Sequence, residues 1–219
     1  MRLENDRIQF SATDLAHFLG CKHATELDRA VAEGRIAKDY RKDHMLDLLM
    51  ELGERHERRY IEHLKASGKY VVELEKFSDP DGTQTIDAMR SGADVIVHGR
   101  LVIGSRGGYT DFLLKVERPS DFGAWSYEIA DTKLSATTKA TAVLQLCLYT
   151  ELLTLIQGVK PEFMYVIKPD AKDESEPFDI DQLRVDDYMA YFRMAKRSFE
   201  AKLAAPPDVS SKPEPCNHC

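Results

Sequence analysis

The chain has 219 residues, 43% of them hydrophobic and 31% charged; this excludes a disordered tail and provides enough length for one sizeable core. A formal net charge of −7 excludes a protein that coats nucleic acid by bulk positive charge, but not an enzyme that gathers carboxylates around divalent cations. The N-terminus, MRLENDRIQF, lacks a signal pattern, and the apolar stretch Val143 to Val159 is interrupted by Gln145, Thr150, Glu151, Thr154 and Gln157, so the reading is a cytoplasmic protein without a membrane span.

In chain order, Ser11 or Thr13 caps a short helix running to about Gly20, and a second helix covers His23 to Ala32. A longer helix is predicted from Asp43 to Ala66, with Gly68 as its stop. Its apolar positions Met45, Leu48, Leu49 and Leu52, then Tyr60, Ile61 and Leu64, recur at helical spacing. Tyr70 to Leu74 reads as a strand and Thr85 to Arg90 as a turn or two of helix. Ala93 to Ile103 and Tyr109 to Val116 read as paired strands joined by a turn over residues 104–108. A strand over Trp125 to Leu134 follows, then an apolar helix over Ala140 to Ile156, a strand over Phe163 to Ile167 and a final helix over Asp186 to Leu203. This order predicts an α/β domain with a mixed central sheet flanked by helices. Residues 1–42 form a helical N-terminal region, 43–203 the core, and 204–219 a linker rich in Pro, Ser and Asp that leads into a cysteine motif.

Asp131-Thr132-Lys133 lies near the end of a predicted strand, and residues two apart on a strand point to one face. The carboxylate can hold a hard divalent cation while the ammonium sits beside it, a pairing suited to phosphodiester hydrolysis; as a lone motif it equally describes a surface salt pair. Asp111 sits early in the preceding strand, where it can approach Asp131 across the ladder, and apposed carboxylates repel unless a cation lies between them. On the long helix, Glu57 or His56 can supply a further ligand, although Glu51, Glu54, Arg55 and Arg58 also make an ordinary i,i+4 charged face. Gln145 and Tyr149, four apart beside the stripe Leu144, Leu148, Leu152 and Leu155, are polar groups that need partners, whether substrate or core.

The order Gly53 to Glu57 (G-x-x-x-E), Gly108 to Asp111 (G-x-x-D), Asp131 to Lys133 (D-x-K) and Gln145 to Tyr149 (Q-x-x-x-Y) resembles the RecB-family nuclease pattern of the PD-(D/E)xK superfamily. The phrases Ser11 to Leu15, Tyr109 to Leu113 and Asp131 to Leu134 look like a bacterial subgroup often fused upstream of a helicase. The resemblance implies a restriction-endonuclease-like core acting as a DNA nuclease, favouring single-stranded or end-opened DNA. In it Asp111 and Asp131 bind Mg²⁺ or Mn²⁺, Lys133 positions or polarises the attacking water, Glu57 completes the metal site, and Gln145 and Tyr149 orient substrate. Many relatives carry histidine where Glu57 stands, and His56 is one residue away; spacing favours Glu57.

Cys216 and Cys219 have CxxC spacing, which in a cytosolic protein suggests metal or redox work. Some RecB-like nucleases staple their chain ends with a [4Fe-4S] cluster, and Cys21, Cys216 and Cys219 occupy such places, with a fourth cysteine expected beyond residue 219. Zinc held by a set drawn from Cys21, His23, Cys216, His218 and Cys219 is the alternative, and Cys147 reads as a core residue. Arg35, Lys38, Arg41, Lys42, Arg55, Arg58, Arg59 and Lys139 are candidates for a cationic track. The competing functional readings are an inactive nuclease fold serving as a DNA clamp or helicase assembly module, and an RNA-directed enzyme.

Overall fold

The apolar residues of the central strands alternate in direction, so the sheet they form must be covered on both faces. A computed structural model of the chain describes residues 1–4, 7–38, 43–169, 177–208 and 212–213. Its elements begin with β1 (Arg2–Glu4), β2 (Arg7–Gln9), α1 (Ala12–Gly20), α2 (Lys22–Ala32) and α3 (His44–Ala66). There follow β3 (Val71–Glu73), α4 (Thr83–Arg90), β4 (Val95–Val97), β5 (Arg100–Ile103), β6 (Arg106–Tyr109) and β7 (Phe112–Val116). The chain continues through β8 (Ser126–Thr132), α5 (Ala140–Gln157), β9 (Phe163–Lys168), β10 (Asp179–Arg184) and α6 (Val185–Ala204).

Six strands form a mixed sheet in the order β10-β9-β8-β7-β4-β3, with β8/β9 and β3/β4 parallel and the other pairs antiparallel. Alternation then assigns the layers. Val95, Val97, Phe112, Ala130 and Ile167 pack with Tyr60, Ile61 and Leu64 of α3. Their neighbours Ile96, Leu113, Ile129, Met164 and Val166 pack on the other side with α5, behind which lie Leu15 and Phe18 of α1 and Phe192 and Phe199 of α6. The fold is thus an α/β domain with a mixed central sheet, flanking helices and a helical N-terminal region.

Helix α5 is apolar and long enough to pass a membrane-span test by length and composition, yet 56% of it is buried inside this fold. Sandwiched between the sheet and two helices, it buries Leu146, Cys147 and Leu153 as well as Leu144, Leu148 and Leu152, while Leu155 is exposed. The single stripe expected from sequence is therefore a nearly all-round apolar helix.

Three expectations are corrected. The long hairpin over Ala93 to Val116 is two successive pairings, β4 with β7 and β5 with β6. His98 turns the chain between them with a left-handed backbone, φ 58°, so the ladder cannot run straight through. On α3, Met45, Leu48, Leu49 and Leu52 continue the helical pattern but are exposed, because the first half of the helix lies away from the buried residues His56, Tyr60, Ile61 and Leu64. Strands β1, β2 and β10 were not legible, being short or rich in charged residues.

Ile61→Ala is expected to cost about 2–4 kcal/mol in urea unfolding, as for any deleted core side chain, whereas Leu48→Ser with Leu49→Ser should change stability by no more than about 0.5 kcal/mol. Equal losses would mean that both halves of α3 are packed.

Candidate active site

Strand register decides which residues meet where β7 begins and β8 ends. Phe112 pairs with Ala130 and Leu113 with Ile129, so one further step along the antiparallel ladder sets Asp111 opposite Asp131. Alternation gives both the face of Leu113 and Ile129. Asp111 itself lies in the bend before β7 and not inside the strand. Its Oδ2 accepts hydrogen bonds from the Thr132 backbone N–H and hydroxyl, each at 2.8 Å.

Asp131 is 1% exposed. Gln145 Nε2 donates to its Oδ1 at 3.2 Å, and Lys133, one residue beyond β8, forms an ion pair with its Oδ2. Burial, and then the Asp111 charge, push the Asp131 carboxyl up to about 8 against the opposing pull of Lys133. For Lys133, burial works toward deprotonation, but Asp131 and Asp111 prevail and hold the ammonium above its usual value.

Two parts of the sequence pattern prove to be in contact. A Cβ at Gly108 would fall 2.5 Å from the Tyr149 ring and hydroxyl, so glycine makes room for that tyrosine. Burial, then the charges of Asp131 and Asp111, raise the Tyr149 hydroxyl pKa. At Gly53, by contrast, a Cβ would meet nothing within 4 Å; this glycine lines a cleft shared with His56, Glu57, Asp111 and Thr132.

Helix α3 brings both candidate ligands to that cleft and treats them differently. Glu57 Oε1 lies 2.6 Å from His98 Nε2 and 3.4 Å from Lys76 Nζ. Burial alone would raise its carboxyl, but the His98 hydrogen bond and the Lys76 charge leave it lowered. His56 is 4% exposed, with Nε2 3.1 Å from the Ile167 carbonyl oxygen. Because a carbonyl can only accept, Nε2 donates to it, and Nδ1 is buried without a hydrogen-bond partner. The geometry thus favours His56 over Glu57 as a ligand.

No protein-family model matches the sequence, and no curated protein matches it significantly. Among the described residues, no three His, Cys, Asp or Glu side chains converge as a ready-made cation cage. Asp111 is committed to Thr132 and Asp131 to Lys133, so the carboxylates are neighbours whose oxygens already have protein partners.

Cys21 is buried and caps α2, its sulfur accepting from Ala24 N–H at 3.4 Å; Cys216, His218 and Cys219 lie outside the described residues. The chain leaving α6 returns to α2, where Arg29 donates to the Ala205 carbonyl at 2.7 Å and Asp208 N–H to Glu26 at 3.4 Å. Cys147 is fully buried in the core, as expected. Three members of the candidate cationic track are paired, Arg35 with Glu33, Arg55 with Glu51 and Arg58 with Glu73, while Arg41 and Lys42 lie outside the described residues.

Sequence reasoning missed Thr132 and His98. Thr132 sits inside the D-x-K motif as an apparently free position, and His98 has no spacing relation to any motif, so only its left-handed turn and its reach to Glu57 mark it.

The Asp131 carboxyl is raised in the folded chain above the ordinary 3.8, so ionising it destabilises the fold, starting near that value and fully above about 8. Asp131→Asn should therefore raise the melting temperature of metal-free protein by a margin that grows from about pH 4 to about pH 8 and vanishes at lower pH. Thermal melts across that range check this, and an Asn variant less stable than wild type at the alkaline end would contradict it.

Proposed function

We propose that this chain is a metal-dependent nuclease with a PD-(D/E)xK core of the RecB type, hydrolysing phosphodiester bonds of single-stranded or end-opened DNA. The observation that carries the reading is the apposition of Asp111 and Asp131 on one face of the sheet, with Lys133 against Asp131. Two carboxylates and an imidazole suit a hard divalent cation, and the Nδ1 of His56 is buried with no hydrogen-bond partner. Asp111, Asp131 and His56 would hold Mg²⁺ or Mn²⁺, which supplies Lewis acidity and an activated water.

The chain's own residues divide the remaining work. Lys133 keeps its charge next to Asp131 and stabilises negative charge developing on the phosphate. Gln145 fixes the Asp131 carboxylate, and Thr132 fixes that of Asp111. Glu57 anchors His98, whose backbone N–H donates to the Asp111 carbonyl at 3.0 Å, so this pair positions the bend that carries Asp111.

Asp131→Ala and Lys133→Ala should each lower Mn²⁺-dependent degradation of labelled single-stranded DNA by at least about a hundredfold, with circular dichroism unchanged. His56→Ala should lose more activity, and need more Mn²⁺, than Glu57→Gln. Full activity in either the Asp131 or the Lys133 variant would remove the mechanism.

The cysteines carry a second proposal: a [4Fe-4S] cluster held by Cys21, Cys216, Cys219 and a fourth cysteine, or zinc held by four of Cys21, His23, Cys216, His218 and Cys219. Its support is the return of the chain after α6 to α2, the helix that Cys21 caps. Anaerobic purification should give a broad visible absorbance and bound iron, both lost in Cys21→Ser; bound zinc without iron would select the alternative.

A non-catalytic reading, an assembly module for a larger machine such as a helicase, is favoured by the exposed apolar half of α3, and wild-type protein that binds DNA without cutting it under any divalent metal would select it.

A further inference from the structure

On the far side of Tyr149 from Asp131, β6 floors an open cleft of about 420 Å³, lined by Phe77, Tyr109, Arg100, Gly107, Gly108 and Tyr149. Phe77 is 77% exposed and has φ 68°, a left-handed backbone that aromatic residues rarely adopt. It stands in a turn closed by Ser78 N–H donating to the Glu75 carbonyl at 3.1 Å. An exposed ring and a strained backbone both oppose folding, and the ring's one packing partner at aromatic distance is Tyr109, edge-to-face at 5.2 Å. Behind Tyr109 lies the Arg100 guanidinium, 5.0 Å from the ring centroid. Phe77 and Tyr109 thus make a pair of aromatic rings at the cleft, backed by the buried Arg100 guanidinium. The floor is backbone, because side chains at Gly107 and Gly108 would strike Arg100 and Tyr149.

We propose that Phe77 and Tyr109, the latter backed by Arg100, form a stacking platform that holds a nucleobase of a single-stranded nucleic acid beside the acidic centre. Every base offers a π-face, and aromatic rings with an arginine nearby bind single strands on that basis regardless of sequence. Stacking also supplies affinity that a chain of net charge −7, with several of its arginines already paired, does not supply through phosphate contacts alone. The connection to the centre runs through Tyr149, which lines the cleft and lies one turn along α5 from Gln145, the residue that donates to Asp131. A base seated here belongs to the strand whose phosphate reaches Asp111 and Asp131. In a duplex that base would be paired and stacked, so the cleft selects an unpaired strand; it does not distinguish DNA from RNA, because the stacking face carries no sugar. The inference rests on the nuclease reading for its substrate, but the platform is testable without cutting.

The test is fluorescence anisotropy of the full chain with a short oligothymidine strand in EDTA, in matched DNA and RNA forms, and with a DNA strand of the same length made of abasic nucleotides. Phe77→Ala should weaken binding by about 5- to 100-fold, the range of one stacked base, at low and high salt alike. Phe77→Leu keeps the apolar bulk without the ring and should weaken it too, whereas Phe77→Trp should restore wild-type affinity. The abasic strand should bind wild type weakly and lose nothing further in Phe77→Ala. Unchanged affinity in Phe77→Ala, equal binding of abasic and ordinary strands, or tighter binding of blunt duplex than of single strand would each overturn the platform. Cutting by wild type with Phe77-independent binding would sink the platform and leave the nuclease standing. Phe77-dependent binding with Asp131→Asn as active as wild type would do the reverse.

Discussion

A carboxylate buried at the end of a β-strand is the constraint around which the rest of this molecule is arranged. Asp131 is almost wholly removed from water, and a charge in that position is tolerated only with compensation. Its neighbours supply part of it: Gln145 from α5 donates to one oxygen, and Lys133 brings a charge to the other. Asp111 works in the opposite sense, because a second carboxylate across the ladder makes ionisation harder. The centre is therefore under-compensated as it stands. The proposed cation would redress that balance.

The sheet makes this possible by separating its two faces. The face toward α5 carries Asp131, which Gln145 meets, while the opposite face presents Phe112, Ala130 and Ile167 to α3, and Asp111 sits in the bend at the strand end between them. Because α3 passes over the end of β9, His56 reaches the Ile167 carbonyl, and that same carbonyl accepts the Lys133 backbone N–H at 3.0 Å. Helix, strand end and lysine are thus tied to one oxygen. The bend carrying Asp111 is held as firmly, by Thr132 on its side chain and by His98 on its carbonyl. Left-handed backbone at His98 is the cost of that arrangement, and such strain commonly sits beside functional groups.

Away from the centre, two features remain unexplained by the packing of the core alone. The first half of α3 exposes five large apolar side chains in a row of six, Met45 to Met50, interrupted by Asp47. The loop after β3 exposes Phe77 in a conformation that costs energy. Natural surfaces carry scattered apolar residues without consequence, whereas a concentrated patch and a strained exposed ring are less common. Both lie beside clefts that border the acidic centre: Met50 shares one with Asp111, and Phe77 shares the other with Tyr149.

Much of this was legible in the linear chain. Capping residues and glycine stops locate α1 through α3 to within a few residues, and the spacing of Asp111, Asp131 and Lys133 along neighbouring strands correctly anticipates that they meet. Local rules suffice there because caps, turns and period-two alternation act over a handful of residues. What the sequence could not decide is partnership over long distances. The state of Glu57 depends on His98, which stands 41 residues beyond it and captures its carboxylate. The role of Gly108 depends on Tyr149, since the glycine is needed only where that ring arrives. Likewise the apolar pattern of α3 is continuous in sequence, but only its second half finds a sheet to cover, because tertiary packing and not periodicity determines which apolar residues lose their water.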